Sequence, residues 1–301
     1  MHFETAKLRF ESELRRAIEQ MGKKTPLRDA CEYALAGGGK RLRPLIVLMT
    51  ADALGPLDAM PAAVGVEFFH TASLIADDLP CMDNDSLRRG RPSLHKAFGE
   101  SAAILASYTL IAAGYGGIHQ NSERMKSYPQ FAASAERRAV QCLEAATRCA
   151  GICGATQGQF LDLYPPDSSL ETIREIICKK TVTLFEVSFL FGWLFGGGDL
   201  SALPNLQDCA RHLGMAFQIA DDLEDAAQDA PQEGGANIAQ AMGKEKAISL
   251  FEEEIASLHR ELKNLNLWTA PFQELYKLLN ARRGFFAPQG PSRRLLGKAA
   301  H

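Results

Sequence analysis

Apolar residues recur at the three- and four-residue spacing of an amphipathic helix along most of the chain, and no polar–apolar alternation lasts long enough for a sheet. From about Glu4 to Met21, for example, Phe10, Leu14, Ala17, Ile18 and Met21 share one face, and Gly22 and Pro26 end the run. Further helical segments are expected at about 27–36, 43–54, 59–79, 93–119, 128–163, 169–195, 203–228, 240–263 and 269–283. Their breaks coincide with turn signals such as Gly37-Gly38-Gly39, Gly55-Pro56, Pro80, Pro165-Pro166 and Gly196-Gly197-Gly198. Several segments are apolar nearly all round and belong at the centre. The fold class is therefore all-α, a single large helical domain over residues 1–283 with a flexible, aperiodic tail at 284–301.

The charge balance of −3 excludes a polybasic nucleic-acid binder, so no nucleic-acid partner is expected. Seven cysteines form no CxxC pair and no zinc spacing; their odd number suits a reducing, cytoplasmic location. Cys149 and Cys153, i and i+4 on an expected helix, read as packing residues. The N-terminal MHFETAKLRFESELRRAIEQ is charged throughout and lacks the apolar core of a signal peptide. The most apolar stretch, Val182 to Phe195, contains Glu186 and is shorter than the about 20 residues that cross a bilayer, so no membrane span is expected.

Two acidic clusters carry the chemistry. Asp77, Asp78, Asp83 and Asp85 follow the apolar run VEFFHTASLIA, and such carboxylates repel one another beside a core unless a cation sits among them. Asp77 and Asp83 are about 240° apart on an ideal helix, but Pro80 ends the helix and lets the loop bring Asp83 back. In FQIADDLED, Asp221 and Asp225 are an i,i+4 pair with Asp222 at their flank. Oxygen-only sets of this kind suit Mg²⁺, which completes its shell with water and substrate phosphate. Basic runs supply the complement: Lys40, Arg41 and Arg43 after three glycines, Arg88, Arg89 and Arg91 after the first acidic cluster, and Lys179-Lys180-Thr181. The P-loop pattern fails, because Ala34 and Arg41 stand where it needs glycine and a hydroxyl residue.

These motifs, GGGKRLRP at 37–44, HTASLIADDLPCMDNDSLRRGRPSLHKAFGE at 70–100, GQFLDL at 158–163, KTVTLFEVS at 180–188 and FQIADDLED at 217–225, resemble the trans-isoprenyl diphosphate synthases (polyprenyl synthetases) of the short-chain farnesyl and geranylgeranyl type. The resemblance implies a helical barrel around a deep cavity, a homodimer, and about three Mg²⁺ ions binding an allylic diphosphate. Carried over by position, Asp77 and Asp83 ligate two of them and Asp221 the third, with Asp78, Asp222 and Asp225 in support. Arg88, Lys180 and Gln218 meet the allylic diphosphate, and Lys40, Arg43, His70 and Arg89 hold isopentenyl diphosphate. Thr181 and Gln159 line the site, and Asp162 supports it. Asp77, Asp83, Asp221, Arg88 and Lys180 are thus the expected catalytic set.

The implied reaction joins isopentenyl diphosphate to dimethylallyl, geranyl or farnesyl diphosphate. Ala72 and Ser73, small and a little over one turn before Asp77, permit a long prenyl tail, and Phe69 is the expected floor. A C20 product is favoured, with C15 next. Two departures from the family stand out: Ser107-Tyr108 replace a Gly-Asp pair, and QEGGANIAQ replaces the Gly-Lys and Asp–Lys segment after Asp225. The latter keeps a non-catalytic partner subunit open as an alternative, beside a class I terpene cyclase. Arg282 and Arg283 have two readings, a reach into the site and a surface role, of which the surface role is favoured.

Overall fold

The computed structural model describes residues 3–227 and 237–286. Fifteen α-helices run through them, joined by one two-stranded hairpin. In chain order the first four are α1 Phe3–Gln20, α2 Pro26–Leu35, α3 Leu42–Leu54 and α4 Met60–Asp77, followed by the hairpin β1 Leu87–Arg88 and β2 Arg91–Pro92. Next come α5 Leu94–Phe98, α6 Glu100–Lys126, α7 Pro129–Ala132, α8 Ala135–Ala150, α9 Ala155–Leu163 and α10 Leu170–Ile177. A π-turn, Cys178–Val182, leads into α11 Thr183–Phe195; then follow α12 Leu203–Ala227, α13 Ile238–Met242, α14 Lys244–Asn264 and α15 Ala270–Phe286.

The apolar pattern sets the layers. Every residue of α11 is buried, as are eight consecutive residues of α3 and most of α4. One contiguous apolar cluster reaches from Phe3 to Leu279. The single acid on α11, Glu186, is satisfied inside it by Arg148 at 2.5 Å and Gln207 at 2.6 Å. Amphipathic α1 covers this centre with Phe3, Ala6, Phe10, Leu14 and Ile18.

Helix α6 is long and apolar enough by length and composition to cross a bilayer, a property the sequence reading missed, yet it lies along α4 with its inner face buried. Glycines make that contact close. A Cβ on Gly65 would stand 2.7 Å from the Gly114 carbonyl oxygen, and one on Gly117 would stand 2.5 Å from that of Pro61. Backbone cannot move aside as a side-chain tip does, so Gly117→Val is expected to cost about 1–3 kcal/mol, read as a lowered melting temperature.

Several boundaries differ from expectation for local reasons. Gly99, at φ 87°, divides the 93–119 segment, and α6 then runs on to Lys126. The 128–163 segment breaks at Ala133 and again at Gly151–Gly154, where a Cβ on Gly154 would meet the Cys149 carbonyl at 2.0 Å. Cys149 and Cys153 consequently do not share a helix: the first is buried, the second exposed. The hairpin was not expected either; Arg89 and Gly90, both at positive φ (53° and 75°), make its two-residue turn. At the C-terminal end α15 continues through Phe286, three residues past the expected boundary. The remainder of the expected tail, 287–301, lies outside the described residues.

Candidate active site

The first acidic motif takes shape where α4 stops. The Asp78 N–H still bonds to the Leu74 carbonyl, after which the Asp83 N–H donates to the Asp77 carbonyl at 2.9 Å, and Asn84 takes φ 53°. The loop therefore folds back on the helix end and brings Asp83 beside Asp77, as the break at Pro80 predicts. Burial pushes the Asp77 carboxyl up to about 6, and nearby Asp83 adds to this while Lys180 opposes it. Among the described residues no cation lies within ion-pair distance of Asp77. Asp83 accepts from the Gln159 amide at 3.3 Å.

Asp78 departs from the role expected of it. It is buried and receives two hydrogen bonds from the Arg88 guanidinium. Its contribution is to aim Arg88, which also binds Asp85 at 2.9 Å. The positive-φ turn next to it sends Arg89 in the other direction, onto the Gly38 carbonyl and over Gly39, where a Cβ would collide with the guanidinium.

The second motif lies on α12. Asp221 and Asp225 face the same space as Asp77 and Asp83. Asp222 turns inward: one oxygen accepts from Gln218 at 2.8 Å and the other from the Ile238 N–H at 2.7 Å, which ties α12 to the start of α13. Gln218 in turn accepts from Thr181 at 3.0 Å. Burial raises the Asp222 carboxyl to about 6, and it raises Asp221 as well despite the adjacent Arg282.

Lys180 and Thr181 sit in the π-turn that follows α10, an irregularity often found at functional sites. Gly158 lets α9 press against this turn, since a Cβ there would stand 2.4 Å from the Lys180 nitrogen. The same α9 supplies Asp162, paired with Lys180 at 2.6 Å.

Beneath these groups, Arg43 and His70 approach to 3.3 Å, and the Arg43 guanidinium covers the Phe185 ring at 4.6 Å. Burial lowers both: Arg43 to about 10, and His70 well below the usual imidazole range with help from Arg43 and Arg89. Arg43 Nε and His70 Nδ1 are sheltered without a hydrogen-bond partner, as expected of groups waiting for a ligand. Glu67 underlies the cluster. It bonds to Arg41 at 2.5 Å, both side chains being 1% exposed, and Arg41 also reaches Glu11 at 2.7 Å and the Leu35 carbonyl at 2.7 Å.

One cavity of about 950 Å³ joins these parts. Lys40, Arg43, His70, Asp77, Asp83, Arg88, Arg89, Lys180, Thr181, Gln218, Asp221, Asp222 and Asp225 all line it. Of the expected headgroup residues only Asp78 lies outside. A second, mainly apolar cavity of about 560 Å³ is lined by Phe69, Ala72, Ser73 and Gln159, and Asp77 borders both. The Phe69 ring packs edge-on to Tyr115 at 5.1 Å and fills the space left by Gly114. Among the described residues no three His, Cys, Asp or Glu side chains converge closely enough to hold a metal unaided.

The sequence reading missed Glu67, Tyr115 and Glu224, and it favoured a surface role for Arg282 over a place in the site. Arg282, expected at the surface, inserts from α15 with its side chain 11% exposed and binds Asp221 at 2.5 Å and Glu224 at 2.7 Å. Arg283 does stay outside, on Glu252. A lone acid in the apolar run VEFFH was the available signal for Glu67; nothing local marks Arg282. Of the altered segment after Asp225, residues 228–236 lie outside the described residues, and Lys244 and Lys246 are exposed.

Comparison with known proteins extends the likeness beyond motifs. The chain is 38% identical over 215 residues to the putative geranylgeranyl pyrophosphate synthase 8 of Arabidopsis thaliana, covering 69% of this chain and 57% of that protein. With the farnesyl diphosphate synthase of Geobacillus stearothermophilus it shares 35% identity over 288 residues, 90% of this chain and 94% of the relative. It thus spans little more than half the length of the plant relatives. Among solved structures, an FPP/GFPP synthase from Zymomonas mobilis superposes with TM-score 0.77 at 31% identity, covering 93% of this chain and 99% of that one. A geranyltransferase from Legionella pneumophila gives TM-score 0.81 at 29% identity, with coverage of 94% and 96%. The sequence model described as Polyprenyl synthetase matches residues 24–256, a stretch that contains both acidic motifs and the basic segments at 40–43, 88–91 and 179–180, while Arg282 lies beyond it. The chain belongs to the polyprenyl synthetase family.

Proposed function

We propose that this protein is a short-chain trans-prenyltransferase that joins isopentenyl diphosphate to allylic diphosphates, with geranylgeranyl diphosphate (C20) as the favoured product and farnesyl diphosphate (C15) next. One observation carries the reading: both acidic motifs and the basic cluster line one polar cavity, which meets an apolar one at Asp77.

The donors fit Mg²⁺. They are carboxylates only, and no trio closes on a single point, which suits an ion that keeps open positions for water and diphosphate oxygens. Asp77 and Asp83 would hold it on one wall, and Asp221 with Asp225 on the other. When bound, the metal stabilises the negative charge that develops on the departing diphosphate. Arg88 and Lys180, already oriented by Asp78 and Asp162, donate to the same headgroup. Lys40, Arg43, His70 and Arg89 hold the diphosphate of the second substrate, whose double bond attacks the allylic carbon. The released proton leaves with the diphosphate, so no side chain acts as nucleophile. Ala72, Ser73 and Phe69 enclose the growing tail and keep water from the allylic cation.

The test is incubation of purified protein with labelled isopentenyl diphosphate, Mg²⁺ and dimethylallyl, geranyl or farnesyl diphosphate. Linear prenyl diphosphates are expected. A cyclic hydrocarbon, or no diphosphate release at all, would overturn the reading in favour of a cyclase or a non-catalytic partner subunit.

Acid should weaken the site in a defined way. Asp77 must be ionised to bind a cation, and burial holds its carboxyl at about 6. Below that pH, turnover at subsaturating Mg²⁺ is expected to fall by about tenfold per unit, and excess Mg²⁺ to move the fall to lower pH. A pH–rate series at two Mg²⁺ concentrations measures this.

Two copies are proposed to meet through α6 and α8. Leu105 and Tyr108 on the first, with Val140 and Leu143 on the second, are 45–65% exposed and apolar. Light scattering should give twice the 32.9 kDa chain mass, and Leu105→Arg combined with Val140→Arg should halve it.

A further inference from the structure

The two acidic motifs are not equivalent before ligand arrives. In the first, Arg88 is held by Asp78 and Asp85, and the proposed metal ligand Asp77 is left without an ion-pair partner among the described residues. In the second the metal ligand itself is occupied: Arg282 places Nη2 on Asp221 Oδ1 at 2.5 Å and Nε on Glu224 Oε1 at 2.7 Å. Asp221 and Glu224 are i and i+3 on α12, so one planar guanidinium spans both carboxylates. Its position is fixed from a third side by the Phe217 ring, 5.3 Å from the guanidinium carbon. Lys40 approaches the same ring at 5.6 Å, so Phe217 lies between Arg282 and Lys40. Without Arg282, Asp221 and Glu224 would share one face of α12 with no guanidinium bridging them.

We propose that Arg282 is a positioning residue, a resident counter-ion of Asp221 that a divalent cation must displace. This rests on the reading that Asp221 receives a metal. Glu224 keeps hold of Nε while Asp221 is released, so the guanidinium turns aside without α15 leaving its place. Exchange is unfavourable for a bare ion, which gains one carboxylate and exposes one arginine. It becomes favourable when a diphosphate arrives with the ion and accepts the freed donors. The first motif therefore loads with metal alone, and the second only together with a diphosphate.

The test is titration of the full-length protein with Mn²⁺ in the absence of diphosphate, free ion being read by electron paramagnetic resonance. Arg282→Gln is expected to gain an additional site, or to bind at Asp221 about tenfold tighter than wild type. Arg283→Gln should match wild type. Arg282→Lys keeps the charge but cannot bridge two carboxylates, and is expected to gain about threefold. In Arg282→Gln combined with Asp221→Asn the gain should vanish. Unchanged or weaker Mn²⁺ binding in both Arg282 variants would overturn the proposal, as would a gain that survives loss of Asp221. Failure of the prenyl-transfer reading itself is separately visible as the absence of product from wild-type protein.

Discussion

Asp77→Asn should lower prenyl transfer by about a thousandfold while raising the melting temperature of the metal-free protein. The loss follows from position, since Asp77 is the carboxylate at the junction of the polar cavity and the apolar one. The gain follows from linkage. Burial holds the folded-state carboxyl at about 6, above its value of about 3.9 in an unfolded chain. A raised acid contributes stability that is complete below the unfolded value and is lost as pH rises through the folded one. At neutral pH the ionised group therefore costs about 3 kcal/mol, which asparagine removes. Asp221→Asn should lose a similar amount of activity with a smaller gain, because Arg282 already offsets part of the burial that raises its carboxyl and the substitution breaks that pair. Thermal melts of metal-free protein beside initial rates with Mg²⁺ check both halves.

Ser73→Phe should abolish extension of farnesyl diphosphate, by about a hundredfold or more, and leave extension of dimethylallyl diphosphate within a few fold. Ser73 lies four residues before Asp77 on α4 and lines the apolar cavity, so an aromatic ring there fills space that a long tail needs and a short one does not reach. The opposite change is expected at the other end. Phe69 and Tyr115 meet edge-on, and Tyr115 also borders a further cavity of about 520 Å³ between α6 and α8. Tyr115→Ala should therefore lengthen products. Chromatography of the dephosphorylated alcohols reads both outcomes.

Much of this could be read from residue order because the determinants are local. The break at Pro80 foretold the return of Asp83, and the spacing of Asp221 and Asp225 foretold a shared face. All-round apolar character marked α11 as central. What was missed depends on distance in the chain. Arg282 meets Asp221 across 61 residues, and nothing in its own surroundings distinguishes it from Arg283. Asp78 was expected to support the metal ligands, and only the hairpin, with a non-glycine residue at φ 53°, turns Arg88 onto it. Propensity does not anticipate such a turn, because the tertiary contacts that Arg88 and Arg89 make are what hold it.

Both acidic motifs are held to grip one diphosphate, and calorimetric titration with inorganic pyrophosphate in excess Mg²⁺ tests this most directly. Wild-type protein should bind it, and Asp77→Asn and Asp221→Asn should each lose at least about tenfold in affinity, a difference of about 1.4 kcal/mol. If either variant binds Mg²⁺-pyrophosphate as tightly as wild type, the two motifs do not serve a common ligand.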